Sequence, residues 1–234
     1  MALTRKELKS DRFAQEVQHS VEYVGDHRRP IIMWTGIGAI VALALLAFYL
    51  YREHEHTVRQ EQLAQAFKIQ NAQVGPPGNE YMTSFPTAAE RDKAGAKAFT
   101  DLAVKYSGTP EGAVAEYFLA TAAADRGNIQ EAKKRFELVA DSGDAGFASL
   151  AKVALAQLYN SEGKAAEGEK LIRSVIDKPT VFVSKEEATI ALARLIGPTK
   201  PQEARKLLEP LRANERSAVS RAALTALSDI QPAK

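Results

Sequence analysis

The sequence predicts an all-α chain, with an N-terminal amphipathic helix, a single transmembrane helix and then an α-solenoid of about three to four helix pairs. Three observations carry this. Pro30 to Tyr51 contains no charged residue, although Arg29 and Arg52 flank it. From Ala88 onward the chain consists of alanine-rich amphipathic segments separated by turn signals, and nothing alternates with a strand's period. Small residues recur at a nearly fixed interval: Gly95, Ala132, Gly168 and Ala204 are spaced 37, 36 and 36, and four positions after each stands Phe99, Phe136, Ile172 or Leu208.

Taken in order, residues 1–29 form the tail. Thr4 and Glu7 have the spacing of a capping box, and Phe13, Val17, Val21 and Val24 follow at helical spacing, so the tail predicts a short amphipathic helix ending near Gly25. Residues 30–51 are the transmembrane helix. At about 1.5 Å per residue it rises about 33 Å, enough for a hydrocarbon core about 30 Å thick. Ten of its residues are Ile, Leu, Val or Phe. A buried helix of a soluble domain seldom stays apolar on every face for six turns. A cleaved signal peptide has a shorter apolar run than this and ends it in a small-residue cleavage site.

Lysine and arginine near the two ends of the span are almost balanced, Arg28 and Arg29 against Arg52 and Arg59. The tail carries six basic residues in all, and a long domain translocates largely regardless of its charge. The expected orientation is therefore an N-terminus in the cytoplasm and the remainder of the chain outside it. Trp34, Tyr49 and Tyr51 suit the interfacial belts.

Residues 52–87 are expected to be a helical stalk followed by a linker. Arg52 to Ala72 lacks Gly and Pro, and Leu63, Ala66, Phe67 and Gln70 give it a thin apolar edge. The stretch 74–87, VGPPGNEYMTSFPT, has three prolines and two glycines and reads as the linker. Residues 88–234 are the repeat domain. Helices are expected near 88–106, 110–126, 128–141, 145–162, 164–177, 184–196, 200–213 and 215–229. Gly127, Gly163 and Gly197 are placed to end one helix and open the next.

These units resemble tetratricopeptide repeats. The family's turn glycine, then alanine, then a large residue four positions later is met by Gly127, Ala132 and Phe136, with Tyr106 and Pro110 closing the preceding unit. Gly168 replaces the alanine in the third unit, Pro198 to Lys200 is an insertion in the fourth, and the aromatic position of the first helix is unmatched. Stacked helix pairs leave a concave face, so such repeats usually hold peptides or proteins. With its tail, anchor and repeats together, the layout resembles the ancillary subunit of the bacterial SecYEG translocon. That resemblance implies a single-pass protein of the bacterial inner membrane with a periplasmic repeat domain, and as partners the translocon and the periplasmic chaperones that receive emerging chains. It carries no site residue over.

Composition narrows the rest. The chain has 26% charged residues, a net charge of +2 and no cysteine. This balance argues against a nucleic-acid partner, and the lack of cysteine rules out disulfides and thiolate chemistry. All four histidines (His19, His27, His54, His56) precede the repeats. His54 and His56 point to different helix faces. Asp141-Ser142-Gly143-Asp144 is a turn by composition and lacks the further oxygens of a calcium loop. No catalytic, cofactor or metal site is expected, and no enzyme. The leading reading is a membrane-anchored interaction module. The alternative is a structural assembly factor of an envelope complex acting through its membrane helix, where Gly38 with Ala42 and Thr35 with Ala39 permit close packing.

Overall fold

The computed structural model describes residues 28–76 and 83–230. The tail's amphipathic stripe and the middle of the linker lie outside them. The described fold is all-α. A long helix α1 (Arg28–Gln70) comes first, and eight helices follow. They are α2 (Ala88–Lys105), α3 (Pro110–Asp125), α4 (Ile129–Ala140), α5 (Ala145–Ser161), α6 (Ala165–Asp177), α7 (Lys185–Ile196), α8 (Pro201–Leu208, with a 3₁₀ turn at Glu209–Leu211) and α9 (Ser217–Asp229).

Contacts divide the chain into two units, Met1–Val58 and Arg59–Lys234. In the first, every side chain from Met33 to Tyr51 is exposed, Trp34 and Leu43 by about two thirds. Water does not tolerate so long an apolar surface on all faces of a helix. This part of α1 is long and apolar enough to cross a membrane.

The second unit begins inside the expected stalk. Leu63 and Ala66 are buried, and Phe67 meets Phe99 of α2 and Phe118 of α3 edge to face, with ring centroids 5.4 and 4.8 Å apart. The thin apolar edge of the stalk is thus the seam by which the last three turns of α1 pack on α2. Arg59 and Gln60 fix the same junction. Arg59 Nε and Gln60 Nε2 donate to the two carboxylate oxygens of Glu111 at 3.1 and 3.0 Å, and Glu111 is only 1% exposed at the start of α3.

Between α1 and α2 the expected linker holds two strands of two residues each, β1 (Gln73–Val74) and β2 (Ser84–Phe85), paired parallel with Val74 opposite Phe85. Strands this short have no periodicity to show, so the pairing leaves no trace in the sequence pattern.

Helix starts follow local chemistry. Thr87, Thr109, Asn128, Asp144 and Ser184 each accept a hydrogen bond from the backbone N–H three residues on, and Ser184 with Glu187 forms a complete capping box. Asp144, considered above as part of a cation loop, is engaged in capping α5. Helix ends follow the glycines in two cases of three. Gly127 and Gly163 have φ of 76° and 78°, and the paired bonds Asn128 N–H to Ala123 and Gly127 N–H to Ala124 recur as Lys164 to Tyr159 and Gly163 to Asn160.

Gly197 differs from this expectation. It keeps helical geometry (φ −49°), and the turn is closed later by Lys200 N–H to Ile196 O at 2.7 Å, because the insertion Pro198 to Lys200 supplies the reversal. A side chain at Gly197 would lie 3.0 Å from the Ala193 carbonyl and 3.3 Å from Ile230, so close packing is what favours glycine there.

The periodic residues all face the core. Gly95, Ala132, Gly168 and Ala204 are buried on α2, α4, α6 and α8, and Phe99, Phe136, Ile172 and Leu208 are buried one turn on. These four are the second helices of successive pairs. The first helices are the end of α1, then α3, α5 and α7, and α9 closes the stack. Three apolar clusters centre on Phe99, Phe136 and Ile172, with Phe147 shared by the first two and Leu171 by the last two.

Candidate protein-binding surface

The first helices of the pairs share one further face. On α5, Leu150, Val153, Ala154 and Gln157 recur at spacings of three, one and three, and 37 residues later Glu187, Ile190, Ala191 and Arg194 repeat the pattern on α7. Such spacing sets four residues along one side of a helix. The structure brings both sets to a single trough.

One recess of this trough, about 310 Å³, lies between α3, α5 and α7, with Tyr117, Leu150, Val153 and Phe182 among its walls. A second, about 380 Å³, lies between α5, α7 and α9 and adds Asn160, Ile190, Arg194 and Ala222. Val153, Gln157, Glu187 and Ala191 line both, so the two recesses are continuous.

The wall at the α3 end is braced by aromatic packing. Tyr117 meets Phe118, Phe136 and Phe147 edge to face at 5.9, 5.6 and 5.4 Å, and Phe147 meets Phe182 at 5.2 Å. Edge-to-face pairs of this kind stabilise beyond their buried area by about 0.5–1.5 kcal/mol each. Phe182 remains half exposed beside the fully exposed Val181. Burial raises the Tyr117 phenol above its ordinary value of 10.0, so it is a neutral group at physiological pH.

A surface of small floor residues, aromatic and aliphatic walls and a few amides is suited to holding a polypeptide segment. Among the described residues no group of three or more His, Asp or Glu side chains is placed to hold a metal ion. The sequence reading named no binding residue. The periodic pattern marks residues that pack helix pairs together, whereas the trough, although Ile172 reaches it, is walled mainly by the first helices α3, α5 and α7. The repeated spacing on α5 and α7 is the signal that marks it.

A family model described as a tetratricopeptide repeat-like domain matches residues 30–188, well over half of the chain. The chain belongs to this family. The matched stretch takes in the apolar helix as well as the repeats through the start of α7, in keeping with the end of α1 serving as the first helix of the first repeat. Comparisons with curated proteins and with solved structures gave no match. Repeats of this kind are protein-interaction modules.

Proposed function

We propose that this protein is a membrane-anchored interaction module of the bacterial inner membrane, an ancillary partner of the protein translocon and of periplasmic chaperones, with its N-terminus in the cytoplasm and its repeats in the periplasm. The observation that carries the reading is the combination, in one family member, of an all-round apolar helix and a continuous trough across successive first helices. Anchoring confines the trough to a membrane surface, which raises its effective concentration toward partners in the same membrane. The translocon assignment is supported by the resemblance of the layout of tail, single span and repeat domain.

Topology is the part of this reading most open to direct test. Alkaline phosphatase, active only after export, is fused behind Lys234. High activity is expected, and replacing Arg28 and Arg29 with Glu should lower it by weakening the basic bias of the tail. An inactive but intact and folded wild-type fusion would place the repeats in the cytoplasm and overturn the periplasmic partnership.

A further inference from the structure

We infer that the trough selects apolar polypeptide segments carrying an acidic side chain, with Arg194 as the residue that reads the acid. This rests on the trough being a peptide-binding surface, as proposed above. Charge complementarity within the recess between α5, α7 and α9 favours such an occupant.

Its walls hold two charged residues, Glu187 and Arg194. Glu187 is committed to its own helix, since its Oε2 accepts from the Ser184 backbone N–H at 2.9 Å and completes the cap of α7. Arg194 has no hydrogen-bond or ion-pair partner among the described residues. It is exposed, while Ile190 beside it is buried and Val153 and Ala191 are half buried. Arg194 is therefore a cation of the recess without an ion-pair partner, set against an apolar wall about 10 Å along α7 from the capping carboxylate of Glu187. An arginine fork answers a carboxylate with two parallel N–H donors, and partial exclusion of water by the flanking aliphatic groups strengthens that pairing.

Position along the helices completes the picture. Gln157 and Asn160 of α5 line the same recess as Arg194 and offer side-chain amides, able to bond the backbone of an extended segment. The trough continues from this recess past Val153 toward Tyr117 and Phe182, so a chain lying in it has room for apolar side chains between Arg194 and α3. The occupant that fits is an extended segment in which aromatic or aliphatic residues accompany one Asp or Glu.

The test uses the full chain in lipid nanodiscs, which avoids detergent competing for an apolar trough. Fluorescence anisotropy follows labelled, end-blocked peptides Leu-Ala-Phe-X-Leu-Ala-Phe in which X is Glu, Gln or Lys. The Glu peptide is expected to bind about tenfold tighter than the Gln peptide, and the Lys peptide more weakly still. Arg194→Gln should abolish the difference between the Glu and Gln peptides, and Arg194→Lys should restore part of it. Val153→Asp should weaken all three. Equal binding of Glu and Gln peptides would overturn the acidic preference and leave the trough itself standing. Binding of no peptide would overturn the trough as a peptide site, and the inference with it.

Discussion

Phe136→Ala is expected to lower the unfolding free energy of the Arg59–Lys234 unit by about 3–5 kcal/mol, measured by denaturant titration. The ring is 4% exposed, lies in the second apolar cluster and meets Tyr117 at 5.6 Å, so its removal opens a cavity between two helix pairs and loosens a wall of the trough. Lys134, two positions earlier on the same helix, is exposed and serves as the control. Lys134→Ala should change stability by less than about 0.5 kcal/mol. Gly168→Leu tests the other half of the periodic pair. A first side-chain carbon there would already approach the Ala156 carbonyl to 2.7 Å, so the helices must separate, at a cost of about 1–3 kcal/mol or more. Equal effects at Phe136 and Lys134 would mean that the repeat phase is misassigned.

The second large effect concerns where the repeat unit begins. A fragment starting at Arg59 is expected to fold as one unit, whereas one starting at Ala88 should lose protection from hydrogen exchange throughout α2 and at the start of α3. The shorter fragment lacks Leu63, Ala66 and Phe67, whose burial is worth several kcal/mol at about 1.5–3 kcal/mol for each large side chain. It also removes Arg59 and Gln60, which hydrogen-bond the buried Glu111. Burial by itself pushes the Glu111 carboxyl up, but hydrogen bonds from its own backbone N–H and from Gln60, with the Arg59 charge and hydrogen bond, hold it below the ordinary 4.5. A depressed carboxyl contributes stability that is complete above its unfolded value and is lost as pH falls through the folded one. The Arg59 fragment should therefore lose stability below about pH 4.5 more steeply than its Arg59→Ala variant, which is already destabilised at neutral pH. Identical exchange patterns for the two fragments would contradict this account of the first repeat.

Much of this architecture was legible in the sequence because core packing is periodic there. The pairs Gly95 with Phe99, Ala132 with Phe136, Gly168 with Ile172 and Ala204 with Leu208 give the second helices directly, and all eight residues are buried. The first helix of the first pair was hidden for a physical reason. It is the end of α1, whose residues continue the long apolar helix without a break, so Leu63, Ala66 and Phe67 read as a weak stalk edge until α2 is seen against them. Gly197 looked like the other turn glycines because an insertion that moves a turn by three residues leaves the glycine itself in place. The trough is hard to read from the sequence because its walls mix core-packing side chains such as Tyr117 and Ile190 with exposed Gln157 and Arg194, and alanine and glutamine at helical spacing resemble any solvated face. Only the repetition of that spacing from α5 to α7 distinguishes it.

The central claim is that this family member, which carries a helix long and apolar enough to cross a membrane, acts on other proteins through its trough. It is tested most directly by site-specific photocrosslinking in intact membranes, with the photoreactive side chain placed in turn at Gln157 in the trough, at Lys134 on the exposed face of α4, and at Ile37 in the apolar part of α1. Adducts to other proteins from Gln157, with few from Lys134, are the predicted result. Adducts from Ile37 with none from Gln157 would contradict the account and assign the function to the membrane helix.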